Sequence, residues 1–264
     1  ADISVGAGAD CMFDYLVSSC FASLAGFTEG QVFTSLSGCT FQGYSTIAGC
    51  TAAITSASWT TSNPATVFIC GGAYSETYIT CSRPQRWVGS GRNRTRITNS
   101  VGAAAVSHTV TMTSTCLMLQ LESLSLSYPT GSGTQGGVDI AQSGVVRARD
   151  CNFIGGAVRL TAALSFANAN GNGAMTVVAF DCALAGVGVN SQLNNSFAHI
   201  TDCEINGDIY VGEECHVADN YFYSSKVQLT GSATAVDTII AQNHFIAAAS
   251  GIVFSGTNPS ACLI

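Results

Sequence analysis

Two short patterns of apolar and polar positions recur along the second half of the chain. The first is apolar, variable, apolar. It reads Val138-Asp139-Ile140, Val158-Arg159-Leu160, Val187-Gly188-Val189, Ile209-Tyr210-Val211, Val227-Gln228-Leu229 and Ile252-Val253-Phe254. A period of two marks a strand with one buried face. The second pattern alternates with the first. It reads Asp150-Cys151-Asn152-Phe153, Asp181-Cys182-Ala183-Leu184 and Asp202-Cys203-Glu204-Ile205, then Asp219-Asn220-Tyr221-Phe222 and Gln242-Asn243-His244-Phe245. Ser123-Leu124-Ser125-Leu126 is a weaker earlier copy. No stretch of this repeat region holds a helical apolar period. Two phrases alternating at an irregular interval of about 20 residues predict stacked coils of short strands, with insertions confined to turns.

The columns of such a stack have separate physical roles. Phe153, Leu184, Ile205, Phe222 and Phe245 are expected to form an internal apolar stack. Cys151, Cys182 and Cys203 point inward one step earlier, as small buried hydrophobes. Asn220 and Asn243 continue that column as an amide ladder along the axis. The fold class predicted is all-β, a single-stranded right-handed parallel β-helix over 65–264. Residues 1–64 form an N-terminal cap or arm, with Asp10 to Leu24 expected as an amphipathic capping helix.

Residues 65–99 add a resemblance. Thr66–Ile69, Tyr78–Thr80, Trp87–Gly89 and Thr95–Ile97 read as strands, with a turn at Gly71-Gly72. Gly72, Tyr74, Glu76, Ile79, Pro84, Gly89, Gly91, Thr95 and Ile97 match the opening coils of the pectin-lyase-like β-helix superfamily, in particular the pectinesterases. The resemblance implies a fold; function must be argued from the site. The family's catalytic contexts, an Asp within Gly-x-x-Asp-Phe-Ile-Phe-Gly and an Arg within Trp-Gly-Arg-Pro, are not found. Polygalacturonase signatures are missing too.

Composition narrows the classes. Of 264 residues 47% are apolar and only 9% charged, so Ser, Thr, Asn, Gln and Gly must supply the polar surface. The formal charge of −7 lacks the cationic stripe a nucleic-acid binder needs. No apolar run is long enough to predict membrane insertion. The N-terminus does not read as a signal peptide, so the expectation is that a leader has been removed or that the protein leaves the cell by another route, such as within a released virus particle. None of the twelve cysteines forms a CxxC pair, which disfavours zinc ribbons. No cofactor is expected.

Candidate chemistry lies on two features. Asp150, Asp181, Asp202 and Asp219 form an acidic column that reads either as a metal site or as turn caps. On the neighbouring outward face, Arg147, His199 and His216 share one register, and Arg149, Phe180 and Thr201 the next. With Tyr210, the arginines and histidines of this face are candidate glycan or subunit contacts. Arg83, Arg86, Arg92, Arg94 and Arg96 form a local basic cluster.

Three functions remain. The first and preferred is a non-catalytic virion surface protein, a capsid decoration or tail-spike component. The resemblance implies a homotrimer there, contacting other virion proteins and host surface polysaccharide. The second is an extracellular polysaccharide lyase, hydrolase or esterase. The third is a secreted adhesin.

Overall fold

The structure is a computed structural model. It describes residues 15–17, 32–34, 40–100, 106–127, 134–140, 144–154, 161–165, 175–180, 183–185, 187–191, 196–206, 208–211, 215–231, 238–246, 251–256 and 262–263. Among these, strands form three sheets of twelve, eight and eight strands, here A, B and C. The chain visits them in rotation. Ala65–Ile69 lies in A, Gly72–Glu76 in B and Ile79–Cys81 in C; Gln85–Gly89 then returns to A beside Ala65–Ile69. This rotation repeats through Ile252–Gly256, and every pairing between successive coils is parallel. The chain is a parallel β-helix.

In each sheet the alternate positions form continuous rows by strand register, and the side chains described in them face inward. In sheet A the row runs Val67, Trp87, Leu121, Ala148, Ala179, Ile200, Val217, Ile240. The large Trp87 and the small Ala148, two coils apart, are both buried, and such size alternation fills the interior evenly. In sheet B it runs Tyr74, Ile97, Leu126, Phe153, Leu184, Ile205, Phe222, Phe245. The predicted apolar stack is this row. Phe222 and Phe245 stack with ring centroids 4.7 Å apart.

The inner row of sheet C runs Ile79, Val110, Val138, Leu164, Val189, Ile209, Val227, Ile252. Here one sequence expectation is corrected, and another falls outside the described residues. Val189, not Val187, aligns with Ile209, a slip of two residues that keeps the same face inward. The strand of the preceding coil is Thr161–Ser165. Val158 to Leu160 lies outside the described residues. Thr161–Ser165 reads Thr-Ala-Ala-Leu-Ser, and its small residues give little apolar contrast to read.

The corner between sheets A and B explains the second repeated pattern. Ser123, Asp150, Asp202, Asp219 and Gln242 all have φ between 50° and 57°. Such left-handed residues are uncommon, and Asp and Asn tolerate the conformation best. The next residue turns inward: Cys151, Cys203 and Asn220 are buried. The thiols donate to strand carbonyls, Cys151 to Arg149 at 3.2 Å and Cys203 to Thr201 at 3.1 Å. The amide ladder is present. Asn220 Nδ2 donates to Ile200 O at 2.9 Å and to Asn243 Oδ1 at 3.0 Å, while its Oδ1 accepts from Cys203 N at 2.9 Å. Asn243 Nδ2 repeats the bond one coil on, to Val217 O at 2.8 Å.

The N-terminal region differs from expectation. Tyr15–Val17, inside the stretch read as a capping helix, is a strand of sheet A held between Thr40–Tyr44 and Ala65–Ile69. Two strand partners satisfy its backbone groups on both edges, which outweighs weak helix preference. Sheet A therefore runs unbroken across position 64. The helix that packs over the first coil is Ile47–Ala53, against Ile79–Cys81. Thr46 caps it, its Oγ1 accepting from Gly49 N at 3.1 Å. Glu76 adds a second cap from the coil below: its buried carboxylate accepts from Ile47 N at 2.7 Å and Ala48 N at 3.3 Å. Glu76 belongs to the strand Gly72–Glu76, which follows a bend at Gly71, where the sequence placed a turn at Gly71-Gly72.

Candidate functional site

The outward face of sheet A collects most of the predicted contact residues. Strand pairing places Arg86, Gln120, Arg147, Val178, His199, His216 and Ile239 in one row. The adjacent row is Val88, Glu122, Arg149, Phe180, Thr201, Ala218 and Ala241. Both rows occupy the strand positions that alternate with the core row, Ala218 among them being buried, and successive residues of a row lie about 4.8 Å apart. Arg147 and Arg149 are exposed; His199 and His216 are half-buried.

Two interactions organise this wall. Arg86 binds Glu122 bidentately, Nε to Oε1 at 3.0 Å and Nη2 to Oε2 at 2.8 Å. Glu122 is also the register partner of Arg149, so this carboxylate stands among guanidinium groups. Its hydrogen bonds hold Arg86 more firmly protonated than usual. Further along, the His199 and His216 rings lie 4.6 Å apart, tilted by 40°. Burial, and then the neighbouring His216, push the pKa of His199 below its ordinary value.

Tyr210 does not join the wall. It lies in sheet C, in register with Asn190 and Gln228. The basic cluster is likewise divided. Arg83 Nε donates to Thr55 O at 3.0 Å beside the capping helix, Arg86 stands on sheet A, and Arg96 is exposed on sheet B. Arg92 belongs to a loop, Ser90–Arg94, folded over the A–B corner of later coils. Gly91 N donates to Ser123 O at 2.9 Å, Ser125 Oγ donates to Arg92 O, and Asn152 Nδ2 donates to Asn93 Oδ1 at 3.4 Å.

This loop also defines the acidic column. Asp150 Oδ1 lies 3.5 Å from Arg92 Nε, and Asp150 Oδ2 accepts from Ser123 Oγ at 2.7 Å. Asp181 lies outside the described residues. Ser123 and Gln242 take the same left-handed backbone as Asp150, Asp202 and Asp219. What the column shares is therefore backbone conformation rather than charge. Among the described residues no group of three His, Cys, Asp or Glu side chains is arranged to hold a metal ion.

Sequence reasoning missed Glu122, and it named Glu76 only within the resemblance, without its capping role. Glu122 had a legible signal, an outward position two residues after Gln120. Its partner Arg86 is 36 residues earlier and is found only once the coils are registered.

No family model matches the sequence, and no curated protein is similar to it. A solved structure described as pectin methylesterase from carrot superposes with a TM-score of 0.45 at 14% identity, over 98% of this chain and 91% of that one. The likeness concerns the course of the chain, and the site is read from its own residues. The rotation through three parallel sheets makes this chain a parallel β-helix with an arginine and histidine wall on sheet A.

Proposed function

We propose that this protein is a non-catalytic structural component of a virus-particle surface, a capsid decoration or tail-spike part, with sheet A as its contact wall. The observation that carries the reading is the wall itself. It presents guanidinium, imidazole, amide and hydroxyl groups in two straight rows, and its carboxylate, Glu122, is held by Arg86. Glycoside hydrolysis uses a pair of carboxylates facing the scissile bond. Planar cationic and hydrogen-bonding groups on a flat sheet suit subunit packing or host surface polysaccharide instead. In this reading the chain works as a homotrimer, its walls packed against one another or against other virion proteins.

The test is localisation together with an activity assay. Antibodies to the purified chain are expected to label the surface of intact particles, with the chain co-sedimenting with them. Recovery only as free protein, or shortening of surface polysaccharide by the purified chain, would overturn the reading.

A further inference from the structure

Exposed apolar side chains gather at one level of the β-helix. Tyr221, Tyr223 and Ile246 are 47%, 37% and 45% exposed. Strand pairing sets Tyr223 beside Ile246 and Tyr221 beside His244, which is also exposed. These four are the outward positions of Tyr221–Tyr223 and His244–Ile246, adjacent strands at one end of sheet B. Earlier coils of that sheet differ, because the loop Ser90–Arg94 reaches over Ser125 and Asn152. On the strands of sheet A, Ile239 is the exposed large apolar side chain among those described, at 37%. It belongs to the same coil as His244–Ile246. A contiguous apolar patch on a sheet marks an interaction surface, and tyrosine is enriched in the cores of protein contacts. The wall on sheet A, for its part, is not complementary to itself. Its first coils carry Arg86, Arg147 and Arg149 with the carboxylate Glu122, and its last carries Ile239. Two walls packed parallel would oppose arginine to arginine; packed antiparallel, they would set the arginines on Ile239. Like charges across a contact cost affinity, and so does burying a charge against an apolar group.

We propose that sheet A of one copy packs on sheet B of a second copy, with the two helices parallel and level. Ile239 of one copy then meets Tyr223 and Ile246 of the next. Arg147 and Arg149 lie level with Asn152, which follows them in the same coil and whose amide oxygen is an acceptor for guanidinium. Arg86 lies level with Arg96, but its charge is held by Glu122. Such a head-to-tail contact closes as a ring. The inference rests on the homo-oligomer proposed above and names the surface that the wall packs on.

Analytical ultracentrifugation of the full chain tests this. The unaltered chain is expected to sediment as an oligomer. A double variant, Tyr223→Ser with Ile246→Ser, should dissociate, its dissociation constant raised at least about thirtyfold. Ile239→Asp should do the same from the other side of the contact. Mixed together, the two variants should recover a two-copy species, because one intact A-to-B contact remains between them. All three positions are exposed, and circular dichroism verifies that the variants are folded. If the double variant stays assembled, or the mixture stays monomeric, this inference falls while the homo-oligomer stands. A monomeric unaltered chain overturns both. Labelling of intact particles tests the virion role separately.

Discussion

Asn220 is fully buried, and its amide is bonded on both sides. Removing it strands Cys203 N and Ile200 O in the interior. Each unpaired buried group costs about 1–3 kcal/mol, so Asn220→Ala should lower unfolding stability by about 2–4 kcal/mol in urea titration. Gly89 is constrained differently. An added Cβ would lie 2.4 Å from Ser123 O and 2.9 Å from Leu124 Cβ, so Gly89→Ala must displace the next coil's corner. A cost of about 1–3 kcal/mol is expected. His199 ties stability to pH. Its folded pKa is lowered by burial and by His216, so the unfolded chain binds its proton first as pH falls. Stability should hold above the ordinary imidazole range and decline as pH drops through it. His199→Gln should flatten that decline in melting temperatures recorded across pH. At this scale the sequence was highly legible: Asn220, Asn243 and the inward cysteines declare themselves by column. Glu122 did not, because its meaning depends on a partner in another coil.

The capping helix shows how far single elements were legible. Ile47–Ala53 has seven residues, too short to persist alone. It is held by Thr46 and by Glu76 from the coil below. Hydrogen bonds to a charged group contribute about 1.5–3 kcal/mol each. Glu76→Gln keeps an acceptor without the charge and should cost about 1–2 kcal/mol. Glu76→Ala should cost more and fray the helix, visible as faster amide exchange at Ile47 and Ala48. Nothing in the helix's own residues announces this support. The same reason hid the strand Tyr15–Val17, defined by partners on both edges. Thr161–Ser165 was obscured by its small side chains. Strands with strong alternation, such as Ala65–Ile69 and Thr95–Asn99, were legible within a residue or two.

At the scale of the molecule, the repeat determined the architecture and the register of sheets A and B, while sheet C slipped by two residues at Val189. The expected rows Arg147, His199, His216 and Arg149, Phe180, Thr201 are the rows observed on sheet A. Tyr210 lies on another sheet, in register with Asn190 and Gln228. The acids at the A–B corner share a backbone conformation with Ser123 and Gln242, and sheet A is the surface on which the proposed function rests. The most direct test is an electron cryo-microscopy reconstruction of the native assembly. The account predicts several copies of the chain, with Arg147, His199 and His216 buried in a subunit or particle contact. A solitary chain with sheet A open to solvent would contradict it.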